Sequence, residues 1–203
     1  MSLEGFTADQ LNRTFEEVFK QTDRASAIVS SALLEELLER LVLAFLMDHQ
    51  AAKRDLFDGM TPLSTMSAKI NLAYYLGLLE QNEFEDLKLI KNIRNDFAHS
   101  FETINFETQR IKDKCLQLKM LISTNPPKVL MDNIKNTKTF YQINTTLLAS
   151  KLFMQLEQVE HLGPYKYELY NGPQNSDSVI SYTWEIKGGG PSGTNAKEVS
   201  AFI

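Results

Sequence analysis

LLEELLERLVLAFLM, residues 33–47, decides the fold. Its charges, Glu35, Glu36, Glu39 and Arg40, fall in the first half, and the second half is apolar nearly all round. A helix of that kind is a buried helix. The spacing of Ile28, Leu34, Leu38, Leu41, Val42 and Phe45 extends it from about Thr22 or Asp23 to Met47, with one side dominant. A single helix buried in this way needs other helices around it, so the stretch predicts an all-α bundle with this segment at its centre.

The flanking segments supply those helices. On the N-terminal side, Thr7-Ala8-Asp9-Gln10 has the spacing of a capping box and opens a helix to about Lys20, with Leu11, Phe15, Val18 and Phe19 as its apolar stripe. On the C-terminal side, Gly59 and Pro62 interrupt regular structure. Ser64 or Ser67 then caps a third helix carrying Ile70, Tyr74 and Leu78, which ends near Gly77. A fourth helix runs from about Glu83 to Ala98, with Leu87, Ile90, Ile93 and Phe97 as its core face and acids Glu83, Glu85 and Asp86 in its first turn, where the helix dipole favours them. A fifth covers about 107–122, and a sixth about 139–161. The expectation is an irregular bundle of about six helices.

Past residue 162 the character changes. Six of the nine glycines and three of the six prolines lie from Gly163 onward. Tyr165, Tyr167 and Leu169 alternate, as do Ile180, Tyr182, Trp184 and Ile186, the period of strands. Residues 1–162 are therefore read as one helical domain, and 163–203 as a Gly/Pro-rich appendage, β-hairpin-like and then flexible.

Composition narrows the function classes. With 43% hydrophobic and 23% charged residues, the 203-residue chain is an ordinary globular one. Its single cysteine, Cys115, permits no internal disulfide and points to a reducing compartment. The longest purely apolar run, Leu41 to Met47, is too short to span a bilayer, and the start of the chain has no signal-peptide pattern, so the expectation is a cytoplasmic protein without membrane contact. The three histidines, His49, His99 and His161, and the one cysteine show no metal-ligand spacing, and no phosphate loop or nucleophile elbow is present, so no metal and no cofactor is expected. Charge is uneven. Residues 1–87 carry 7 basic and 15 acidic groups, net −8; residues 88–138 carry 10 and 5, net +5; residues 139–203 carry 4 and 6, net −2. An acidic chain is a poor non-specific nucleic-acid binder, although the basic middle third leaves nucleic acid open as a partner.

The polar chemistry concentrates in KNIRNDFAHS, residues 91–100. On a helix, Arg94 borders the core face, and a charge there needs an acidic or carbonyl partner. Glu35, Glu36 and Glu39 of the central helix are candidates. Arg94, Asp96, Glu35, Glu39 and Lys69 are read as a structural polar centre bracing the fourth helix against the second. Asn95 and His99, at i and i+4, form the polar pair placed to face a ligand. The sharper reading is catalytic: Arg94 and His99 have an R-x4-H spacing, and a histidine general acid or base with an arginine to stabilise charge can cleave a phosphodiester without metal. A regular helix sets the two side chains some 140° apart, so a homodimer presenting two copies across a cleft, or a distorted helix end, would be needed.

TPLSTMSAKINLAYYLGLLEQNEFEDLKLIKNIRNDFAHS, residues 61–100, resembles the central block of the bacterial mannitol operon repressor family. Pro62-Leu63, Lys69-Ile70, Tyr74, Gly77-Leu78, the acidic turn and Ile93 to His99 carry the resemblance, and Leu33, Leu34, Glu35, Leu38 and Leu41 upstream fit it. It implies an all-helical regulator with no recognised DNA-binding motif, acting through a protein partner and not as an enzyme. The glycine-rich tail is outside that pattern. More distantly, the segment resembles the R-x4-6-H motif of the HEPN helical superfamily. That resemblance implies the alternative, a metal-independent ribonuclease with Arg94, Asn95 and His99 at its site.

Overall fold

A computed structural model of the protein describes residues 7–46, 51–160, 168–169, 181–183 and 199–200. At its centre lies α2, Asp23–Phe45, capped by the Thr22 hydroxyl, which accepts from the Ala25 N–H. Leu34, Leu37, Leu38, Leu41 and Val42 are buried along it. Its first turns bury Ser26, Ala27, Ser30 and Ser31 instead, small side chains that let a neighbouring helix come close. That neighbour is α9, Thr137–Gln158. Gln142 Nε2 donates to Ser26 Oγ at 3.2 Å, and the fully buried Tyr141 hydroxyl reaches the Ala27 carbonyl at 3.5 Å. Gln142 and Tyr141 thus find partners across this seam where water is absent, while the buried Ser30 hydroxyl has none.

The remaining helices wrap this pair. α1, Ala8–Lys20, opens with the expected capping box: Thr7 Oγ1 accepts from Gln10 N–H and Gln10 Oε1 from Thr7 N–H. Leu11, Phe15 and Val18 are buried, whereas Phe19 is 42% exposed, at the edge of the stripe. A short α3, Ala52–Leu56, precedes a turn at Gly59, and α4, Met66–Tyr75, is capped by Thr65. Gly77 ends α4 with φ +76°, a left-handed conformation that favours glycine, and Leu78 N–H donates back to the Ala73 carbonyl. α5, Gln81–His99, packs on α2 and α4 through Leu87, Ile90, Ile93 and Phe97, all fully buried.

The single fifth helix expected over 107–122 is instead two: α6, Gln109–Cys115, and α7, Met120–Ser123. The cause is Asp86. Its buried carboxylate accepts from the Lys119 N–H (2.9 Å) and the Met120 N–H (2.8 Å), which starts a new helix there and breaks the old one. α8, Lys128–Asn133, follows Pro127. The core closes with Phe97, Phe106 and Tyr141, whose ring centroids lie 5.1 and 4.9 Å apart in sequence. Residues 7–46 and 51–160 are all-α, as the central stretch predicts. Of the tail, three short antiparallel strands are described, β1 (Glu168–Leu169), β2 (Ser181–Thr183) and β3 (Val199–Ser200), in that order. The rest of the expected appendage, including Tyr165, Tyr167 and Trp184, lies outside the described residues.

Candidate functional site

The ionisable residues singled out in the sequence do not form one centre. Lys69, on α4, is 5% exposed and reaches across to α2, where its ammonium donates to Glu39 Oε2 at 2.8 Å and Glu35 Oε1 at 3.1 Å. Lys53 lies 3.5 Å from the other oxygen of Glu39, and the Phe57 ring sits 5.9 Å from the Lys69 ammonium. Burial pulls the Lys69 pKa down, but the hydrogen bonds to Glu39 and Glu35 more than reverse this, so it ends above the ordinary lysine value. Lys69, Glu35 and Glu39 are therefore the brace on the central helix.

Arg94 does not belong to it. Among the described residues its side chain makes one hydrogen bond, from Nη1 to Asn95 Oδ1 at 3.0 Å, and no carboxylate of α2 meets it. The expected role goes to Lys69 because a flexible lysine stem on α4 reaches Glu35 and Glu39 from the next helix, while Arg94 is half-buried at the edge of α5 and turns along its own helix. Asp96 is separate again, paired with Lys114 of α6. Asn95 and His99 lie on the outer face of α5; Asn95 is held by Arg94, and His99 is exposed at the helix end with no hydrogen bond to either.

Two further polar clamps went unread in the sequence. Glu83, 1% exposed, binds the Lys151 ammonium of α9 at 2.7 Å, and Glu80 binds the same group at 3.1 Å. Here too burial lowers the lysine pKa and the two carboxylates raise it further, with a net upward shift. Asp86 is the cap of α7 described above. Burial raises its pKa above the ordinary value, and the two N–H bonds pull partly back. The signal was available: Glu83 and Asp86 precede Leu87, Ile90 and Ile93 at helical spacing, so they share the core face. Cys115 is fully buried on α6, and burial pushes its thiol up to about 12, which leaves it inert as a nucleophile.

Among the described residues no group of histidine, cysteine and acidic side chains could hold a metal ion, and no helix is long and apolar enough to cross a membrane. His49 and His161 lie outside the described residues. Among the described residues, Glu83 and Asp96 of α5 pair with lysines of α9 and α6 and Asp86 caps α7, while Glu85 meets Lys119 at the surface, which defines an all-helical protein held together in part by charged contacts between helices. The chain belongs to the mannitol repressor family, whose model matches residues 10–162. It is 31% identical over 111 residues to the mannitol operon repressor of Escherichia coli (strain K12), and equally to that of Escherichia coli O6:H1. That match covers 53% of this chain and 57% of each relative, so the chain spans little more than half the length of these curated relatives. The X-ray structure of the MtlR–HPr complex from Escherichia coli has a chain similar at a TM-score of 0.57 and 26% identity, covering 70% of this chain and 97% of that one. The fold is also that of a chain described as a possible transcriptional regulator, YggD, from Shigella flexneri 2a, with a TM-score of 0.55 over 78% of this chain and 99% of that one, at 12% identity. The HEPN-type ribonuclease alternative gains no support from these matches. The geometry does not favour it either, since Arg94 is turned onto Asn95 and His99 is not brought to it.

Proposed function

We propose that this chain is a bacterial, cytoplasmic regulatory protein of the mannitol operon repressor kind, which acts by holding a protein partner and not by reading DNA or by catalysis. The observation that carries this reading is the likeness to the MtlR–HPr complex, at 26% identity and extending over 97% of the solved chain. The chemistry of the site supports it. Among the described residues, Lys69 and Lys151 pair with buried or half-buried carboxylates that tie helices together, and burial pushes the Cys115 thiol up to about 12. The partner named by the relative, HPr, is the first to test here.

Isothermal titration of the full chain with HPr from the same bacterium tests the proposal. A saturable heat with one partner bound per chain is the expected result. Absence of binding at the highest attainable concentrations of both proteins overturns HPr as the partner.

A further inference from the structure

Five methionines lie among the described residues, Met60, Met66, Met120, Met131 and Met154, and Met1 and Met47 lie outside them. Three of the five are sheltered. Met66, 8% exposed, opens α4, and its sulfur accepts from the Ser31 hydroxyl at 3.4 Å. Met120, 7% exposed, opens α7, where Asp86 accepts from its N–H. Met131 of α8 is partly buried against the core. Met154 is 57% exposed on α9. Met60 has no shelter: at 105% its exposure is that of a side chain in an extended, unfolded chain.

The turn that carries Met60 is nevertheless a built one. Between α3 and α4, Leu63 N–H donates to the Leu56 carbonyl at 2.8 Å and Ser64 N–H to the Thr61 carbonyl at 3.2 Å, which closes residues 56–64 into a loop. Phe57 is buried at its start, and Leu63 packs on the core at its end. Gly59 turns the chain with φ +70°, the left-handed region, and a Cβ at that position would meet no atom within 4 Å. The apex therefore stands clear of the helices, and Met60 follows directly after it. Exposed turns are ordinarily made of small polar residues. This one displays a thioether.

A thioether reacts with a peroxide in one two-electron step. A sulfur lone pair attacks one peroxide oxygen, the O–O bond breaks and an S–O bond forms. With hydrogen peroxide, the departing hydroxide takes the proton of the transferred hydroxyl and leaves as water. Sulfur is oxidised and the peroxide reduced, and the product is a polar sulfoxide that reductases return to methionine. Because the peroxide must reach the sulfur, exposure sets the order of reaction. At Met60 the new oxygen meets water. At Met66 it would have to enter the buried contact with Ser31.

We infer that Met60 is a site of reversible oxidation by hydroperoxides, which turns the apolar tip of the α3–α4 turn polar and leaves the fold intact. The test treats the native full chain with dilute hydrogen peroxide and follows each methionine by peptide mapping and mass spectrometry, with the same chain in urea as reference. Met60 should react at nearly the same rate in both, whereas Met66 and Met120 should react about tenfold or more slowly in the native chain, with Met131 and Met154 between. Protein oxidised at Met60 alone should melt as untreated protein does, and a mixture of the two methionine sulfoxide reductases should restore it while folded. Met60→Leu should remove the fast site and leave the other four rates unchanged. Strong protection of Met60 in the native chain, native oxidation of Met66 or Met120 as fast as that of Met60, a lowered melting point on oxidation of Met60 alone, or failure of the reductases to restore it overturns the inference.

Discussion

Lys69→Met removes the cation from the brace between α4 and α2. The side chain is 5% exposed, and its ammonium is the closest partner of both Glu39, at 2.8 Å, and Glu35, at 3.1 Å. Removing one partner of a buried ion pair costs about 3–5 kcal/mol, because the other charge is left desolvated and unpaired. Two features pull the figure to the low end. The Glu35 side chain is 28% exposed and can be hydrated, and Lys53, 3.5 Å from Glu39, partly compensates that carboxylate. The expected cost is therefore about 3 kcal/mol, which for a domain of this size lowers Tm by roughly 6–12 °C. Adding Glu39→Leu to Lys69→Met should recover part of the loss, since an apolar pair of similar volume tolerates the site better than a lone carboxylate. The pH dependence has a definite sign. The folded-state pKa of Lys69 is raised above 10.5, so its contribution is complete below that value and is lost as pH rises through the folded value. Wild type should lose stability on that alkaline limb, and Lys69→Met should lose less. Thermal melts followed by circular dichroism, at neutral and alkaline pH, measure all of this. A melting point within about 2 °C of wild type at neutral pH would refute the brace.

Other consequences follow from the same geometry. Asp86→Ala leaves the N–H groups of Lys119 and Met120 without their buried acceptor, at a cost of about 2–3 kcal/mol in urea unfolding. An unchanged midpoint would mean that α7 does not depend on that cap. Arg94→Ala, by contrast, breaks only the bond to its neighbour Asn95 and should change stability by less than about 1 kcal/mol; a loss as large as that of Lys69→Met would show that Arg94 carries a brace after all. Cys115, buried with its thiol pushed up to about 12, should stay unreactive toward a disulfide reagent in the native protein and react once unfolded. Rapid native labelling would contradict its burial.

The sequence was legible wherever a single periodicity decided the outcome. The apolar run after Arg40 placed α2 at the centre, and Leu87, Ile90, Ile93 and Phe97 placed α5 against it, because burial of a continuous stripe leaves few alternatives. The break between α6 and α7 was not legible from its own residues. It comes from Asp86, more than thirty positions earlier, reaching the backbone of Lys119 and Met120, a tertiary contact that overrides local helix propensity. The polar centre was legible only in part, for a related reason: Lys69, Glu35 and Glu39 meet, while Arg94 and Asp96 have other partners. Periodicity says which face a side chain borders, but not which of several nearby carboxylates or cations it meets. Lys69 and Arg94 were both candidates for Glu35 and Glu39, and only the placement of α4 on α2 decided between them. Glu83 does sit in the first turn of α5, as read, and accepts from the Glu80 N–H; what went unread is that Glu83 and Asp86 also lie on the core face, where Lys151 and the α7 backbone meet them.

The central claim is that this chain regulates through contact with a protein and not with DNA. It is tested most directly by fluorescence anisotropy on one preparation of the full chain, with labelled HPr and labelled mannitol-operon control DNA titrated separately at the same salt. The account predicts a saturable HPr complex, and DNA binding that is weak, independent of sequence and abolished by modest salt. Tight, sequence-selective DNA binding that persists in salt, with no HPr complex, would contradict it.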